Sequence, residues 1–422
     1  MFKRLLFTLL IATPLFAQDA SDLEKRLRAL EEKIAQMQNV EELKRQIEIL
    51  GQEIEAMKTR QPEGAPVADA EQYGLGAAAS KVYRSDHGIS IGGYGEFLYQ
   101  NPDGPGELAT ADSLRAVVYT GYKFNDRVLF NSELEVEHAN LERGGNVELE
   151  FAYLDYLIRP EFNVRGGLVL VPVGLTNEQH EPTAFFGAGR PLVERVIIPS
   201  TWMELGAGAF GEAGPITYRG YVMTGLNGSA FNAEEGIREG RQQGGEAVAE
   251  DWAAVARVDW HPFEGTMVGG SLYTGDSGQG AGFGGRVTLG ELHADAKFRG
   301  VSLRALVASG SLGDAAAINN ELGFTGDESV GKRFGGWYVE GGYDIARREM
   351  TFTPYARYEQ LDTQRRVPAG FLRNPANDQS IFTIGLAFKP VSQTVIKVDY
   401  QNVDNEAGTG INQWNVALGY IF

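Results

Sequence analysis

The residues able to do chemistry recur at alternate positions of short segments. The bases in this pattern are Arg115, Lys123, Arg165, Arg219, Arg257, Arg304, Arg357 and Lys397. The acids are Glu96, Glu133, Glu135, Glu137, Asp259, Glu291, Asp295, Glu340, Glu359 and Asp399. Charges on one face of a strand, with apolar residues on the other, suit a wet wall that sorts ions through its field. A row of Arg or Lys with few competing acids would hold phosphate. Here the acids match or outnumber the bases, so a mixed wall with opposed charges is expected.

Bond-breaking chemistry has no candidate. A covalent catalyst needs a nucleophile, a positioned His and a third orienting group. Gly-x-Ser-x-Gly does not occur in a strand-to-helix setting. The histidines are His87, His138, His180, His261 and His293, and no two have metal-ligand spacing. No catalytic residue, metal or cofactor is therefore expected. One long stretch, 173–202, combines charge with apolar anchors. It holds Glu178, His180 and Glu181, then Arg190, Glu194 and Arg195, with Leu192, Val193, Val196, Ile197 and Ile198 among them. A connection of that length is usually functional or disordered, and its apolar run needs burial. The expectation is an inward-folded loop that narrows a pore.

These residues must be held by elements of two kinds. The chain begins with Lys3-Arg4, an apolar run from Leu5 to Phe16, and Ala17, which reads as a secretory signal peptide over 1–17. Leu23, Leu27, Leu30, Ile34, Met37, Val40, Leu43, Ile47, Leu50, Ile54 and Met57 follow at steps of three and four. That seam predicts an α-helical coiled coil over 18–60, in the periplasm. Arg26 and Glu31 stand five apart, a spacing similar to a trimerisation pattern, so a homotrimer is expected. Residues 61–87 read as a linker rich in Ala, Gly and Pro.

From residue 88 to 422 the period changes to two. Leu114, Ala116, Val118, Thr120, Tyr122 and Phe124 alternate with polar neighbours, and so do Trp414, Val416, Leu418, Tyr420 and Phe422. Sixteen such segments are expected, starting near residues 89, 113, 127, 146, 162, 203, 214, 251, 266, 286, 301, 335, 349, 380, 394 and 411. The connections alternate between short and long, as in a barrel with one rim on each side of a membrane. In hydrocarbon each unpaired backbone group costs several kcal/mol, so such a sheet must close. The fold class is therefore an all-β transmembrane β-barrel of about 16 antiparallel strands, preceded by the coiled coil.

Composition agrees. Cys is absent, so an exported chain must find its stability elsewhere than in disulfides. The net charge of −18 argues against nucleic acid as a partner. The implied partners are outer-membrane lipid, small hydrophilic solutes or ions, and peptidoglycan against the coiled coil.

The run Glu148 to Tyr156, then Gly167 to Leu175, resembles the phosphate-selective porin family of types O and P. Thr353 to Asp362, Thr383 to Leu386 and Lys397 to Gln401 add to the likeness. The resemblance implies a sixteen-stranded trimeric porin of the bacterial outer membrane whose third long loop folds inward. The expected function is passive diffusion of small hydrophilic solutes or ions. Its rivals are an anion- or phosphate-selective pore and a structural tether to peptidoglycan.

Overall fold

The structure is a computed structural model that describes residues 25–29, 45, 72–139, 144–347 and 350–422. The chain divides into two units, residues 1–64 and 65–422. In the first, residues 25–29 and 45 are helical. The signal peptide and most of the expected coiled coil lie outside the described residues.

The second unit is one antiparallel sheet. Its strands are β1 (Gly88–Pro102), β2 (Thr110–Lys123), β3 (Val128–Glu137), β4 (Asn146–Arg159), β5 (Phe162–Leu170) and β6 (Met203–Ala213). Next come β7 (Ile216–Thr224), β8 (Trp252–Trp260), β9 (Thr266–Gly275), β10 (Val287–Phe298), β11 (Val301–Leu312) and β12 (Arg333–Tyr343). Then follow β13 (Ile345–Arg347), β14 (Met350–Arg366), β15 (Asp378–Lys389), β16 (Thr394–Asn405) and β17 (Gln413–Ile421). β12 and β13 both pair with β14 and form one stave interrupted at Asp344, so the wall has sixteen staves. Each stave begins within three residues of its expected start.

Strand β1 pairs with both β2 and β17, which closes the cylinder. At the seam the Phe422 N–H donates to the Gly93 carbonyl at 2.9 Å, and the Gly93 N–H donates to the Phe422 carbonyl at 3.0 Å. No strand edge remains among the described staves, so the backbone satisfies itself without water.

Alternation sorts the side chains. In β8 every second residue is buried, beginning at Ala253, and the intervening Trp252, Val258 and Trp260 are exposed. Ile91, Val118, Leu134, Leu154, Leu272, Leu303, Val339 and Ile384 are likewise exposed on the outer face. An apolar belt facing outward on every side fits hydrocarbon, not water. Aromatic residues toward the strand ends, among them Tyr99, Tyr122, Phe124, Trp260, Phe298 and Tyr343, are also exposed. They lie where interfacial girdles are found.

The interior is packed as well. Residues 72–85, from the segment expected to be a linker, lie against the inner wall. The Tyr83 hydroxyl donates to Asp155 Oδ2 at 2.6 Å, and Asn131 Nδ2 donates to the Ala79 carbonyl at 2.9 Å. Leu75, Ala77, Ala78, Ala79 and Val82 are buried there.

Candidate functional site: the charged inner wall

The connection from β5 to β6 packs against buried residues of the wall. Val193, Val196, Ile197 and Ile198 are buried with wall residues such as Phe334, Tyr338 and Leu361 in one apolar cluster. Gly174 opens the segment at φ +78°, a left-handed conformation that favours glycine. A Cβ there would meet Glu194 Oε2 at 2.8 Å and Ile198 Cδ1 at 2.9 Å.

Glu194 organises this segment from within. Its Oε2 accepts from the Leu175 N–H at 2.8 Å, the Thr176 N–H at 2.6 Å and the Thr176 hydroxyl at 3.0 Å. Glu181 accepts from the N–H groups of Ala78 and Ala79 at 2.8 and 3.1 Å, which joins the segment to residues 72–85. Arg190 is half-buried, and Arg195 is exposed with its guanidinium 4.0 Å from Glu235.

The wall arginines are engaged by acids. Arg165 lies 2.8 Å from Asp155. Arg219 lies 2.8 Å from Asp259 and 3.1 Å from Glu178. Arg257 lies 2.9 Å from the same Asp259, whose Oδ1 is 2.9 Å from His293 Nε2. Glu291 sits 2.9 Å from His293 Nδ1. Arg304 lies 2.8 Å from Asp295 and 3.6 Å from Glu340. Arg357 lies 3.0 Å from Glu359, whose second oxygen accepts from the Val193 N–H at 3.2 Å. Arg115 lies 3.4 Å from Glu96 and 3.5 Å from Glu135. Lys123 donates to the Ser85 carbonyl at 2.9 Å.

Lys397 differs from these. Its ammonium is buried 3.6 Å from the centre of the Phe185 ring, and Nζ has no hydrogen-bond partner. The terminal nitrogens of Arg357 also lack hydrogen bonds.

The segment thus touches staves on opposite sides of the cylinder: β3 and β4 through His180, β7 and β8 through Glu178, and β16 through Phe185. Cavities lie at both ends. One of about 980 Å³ is lined by residues of the long connections, including Glu234, Asp327, Asn374 and Thr409. One of about 330 Å³ lies at the short-turn end, lined by Tyr73, Glu178, Phe210, Arg219 and Asp259. At the long-connection rim, two hydrogen bonds of 2.8 Å from Arg286 to Asp276 hold that carboxyl below its usual range.

Three buried acids of the wall are not among the charges singled out by alternation. Asp155, Glu204 and Glu150 are buried inside the wall. Glu150 is the instructive one. Glu133 pairs with Phe151 and Leu134 with Leu149, so Glu150 is the extra residue of a β-bulge. The bulge puts Glu150 and Phe151 both on the inner face, which no single alternating register along β4 predicts.

No known protein-family model matches the chain. An uncharacterized protein of Aquifex aeolicus (strain VF5) is 36% identical over 371 residues, which cover 85% of each chain. Among solved structures, Salmonella typhi OmpF in complex with daunomycin superposes with a TM-score of 0.53 at 12% identity, covering 81% of this chain and 99% of that one. The loop L8 deletion mutant of OmpT, an outer membrane protein of Vibrio cholerae, gives 0.52 at 13% identity, covering 80% and 100%. At such identities the likeness is one of fold, an outer-membrane porin barrel.

Proposed function

Because the chain belongs to the same family as the Aquifex aeolicus protein, and its barrel is porin-like, we propose that it is a bacterial outer-membrane porin for passive diffusion of small hydrophilic solutes or ions. The observation that carries this reading is the charged inner wall. A barrel serving only as an anchor has no need for buried ion pairs such as Arg219–Asp259 and Arg357–Glu359. Such groups cost several kcal/mol each to desolvate. The pairs set a field along the inner wall.

Segment 173–202 is the constriction in this reading. Its contacts with staves β3, β4, β7, β8 and β16 support that reading, in which solutes pass along its margins. A mixed lumen favours general diffusion, because an anion passing Arg219 or Arg257 competes with Asp259 and Glu178. The phosphate-selective reading draws support from Lys397 and Arg357, whose donors are not all used. The tether reading draws support from the filled interior, with residues 72–85 and 173–202 both packed inside. The coiled coil, the homotrimer and a peptidoglycan contact complete the proposal.

Single-channel recording in planar bilayers tests it, followed by the reversal potential in a salt gradient with and without phosphate. Discrete conductance steps that phosphate does not block support general diffusion. Block by phosphate selects the anion reading. Silence in the bilayer leaves the tether.

A further inference from the structure

We propose that Glu133, Glu150 and His180 form a binding site for a divalent transition-metal cation of the zinc class, which clamps segment 173–202 to strands β3 and β4. His180 Nε2 lies 3.2 Å from Glu133 Oε1 and 2.9 Å from Glu150 Oε2. All three side chains are at least 98% buried. Zinc bonds to nitrogen and carboxylate oxygen are about 2.0–2.2 Å, which sets tetrahedral ligand atoms roughly 3.3 Å apart. The observed separations come within a few tenths of an ångström of that edge. One imidazole with two carboxylates is a donor set that suits zinc better than the all-oxygen sets of calcium or magnesium.

Three observations beyond the cluster point to a ligand. The first is the imidazole's orientation. His180 Nδ1 lies 2.9 Å from the Asn177 carbonyl, which can only accept, so Nδ1 carries the proton there. A backbone carbonyl on the far nitrogen is the usual partner of a metal-bound histidine, and it leaves Nε2 free to coordinate.

The second is a set of unsatisfied atoms. Glu133 Oε2, both carboxylate oxygens of Glu150, and the hydroxyls of Tyr94 and Tyr119 have no hydrogen bond, although all these residues are buried. A proton on Nε2 serves Glu133; the approach of Glu150 at 2.9 Å makes no hydrogen bond. A cation would satisfy both acids together.

The third is the β-bulge, which spends a ladder position to bring Glu150 to the imidazole. The surrounding charges also favour a cation. Glu135 and Glu148 join Glu150 within 4.8 Å. Arg115 faces Glu135 and Glu96. The acids remain in excess.

The test uses the purified full-length chain and Zn²⁺ titrated by calorimetry. One ion per chain is expected, with affinity falling at least about tenfold in His180→Ala and in Glu150→Gln. Barrel circular dichroism confirms that each variant is folded. The chain contains no cysteine, so His180→Cys gives a unique signature. Loaded with Co²⁺, the folded variant should show a thiolate-to-metal charge-transfer band. Absence of that band, or equal Zn²⁺ affinity in wild type and both other variants, overturns the site and leaves His180 as an imidazolium ion pair. Neither outcome bears on whether the barrel conducts.

Discussion

The Tyr338 hydroxyl donates to Glu194 Oε1 at 2.6 Å, and so ties the middle of strand β12 to the connection between β5 and β6. The other oxygen of Glu194 holds the start of the same segment through Leu175 and Thr176. One buried carboxylate thus fixes the loop to itself and to the wall. Glu194→Ala should strand two N–H groups and two hydroxyls, at roughly 1–3 kcal/mol each where water cannot replace the acid. The barrel's own ladder is untouched. The expected outcome in single-channel recording is a larger and noisier conductance with barrel circular dichroism unchanged. Tyr338→Phe should show the same change more weakly. Unaltered steps in both variants would remove segment 173–202 from the pore.

Gly174 gives a second handle on that segment. Gly174→Ala places a methyl group against Glu194 and Ile198 at a positive φ. Strain of this kind costs about 1–3 kcal/mol. The expected result is earlier proteolytic cleavage within 173–202, seen by mass spectrometry, with the barrel fragments remaining associated. Cleavage at the wild-type rate would mean that the turn accommodates a side chain.

How much of this was legible in the sequence depends on the range of the interactions. The staves were legible because a period of two with polar turns is local: the alternation around Trp414 to Phe422 needs no partner to be seen. The inward facing of Tyr94, Tyr119, Tyr221, Tyr338 and Tyr355, all buried, follows from the same rule. What alternation cannot carry is the pairing of one inward residue with another. His180 meets Glu133 and Glu150 rather than its chain neighbours Glu178 and Glu181, because the loop's position is set by tertiary packing. The entry of residues 72–85 into the barrel was equally hidden. Their small apolar composition reads as a linker until Gly92 and Gly121 are seen to leave room for Ala78 and Val82.

Asp259 lies between Arg219 and Arg257 and also accepts from His293. Asp259→Asn deletes one negative charge from the inner wall and leaves both guanidiniums with weaker partners. The expected shift in reversal potential is toward anions, and it should shrink as ionic strength rises because salt screens wall charges. Arg219→Gln should move the potential the other way. If both variants keep the wild-type potential, the permeant path does not pass this cluster.

Leu292 and His293 are adjacent in β10, yet the first is 67% exposed and the second 4%. The first faces outward, and the second is packed between Asp259 and Glu291 on the inner face. If the outer solvent is hydrocarbon, Leu292→Arg, near the middle of its strand, should cost about 2–4 kcal/mol in folding equilibria measured in lipid vesicles. Leu108, 79% exposed in the connection after β1, is the control. Leu108→Arg should change the equilibrium little, because it stays in water. A soluble sheet with the same exposures would treat both substitutions alike, since surface changes away from special contacts lie within about 0.5 kcal/mol. The difference between the two variants therefore measures the membrane directly.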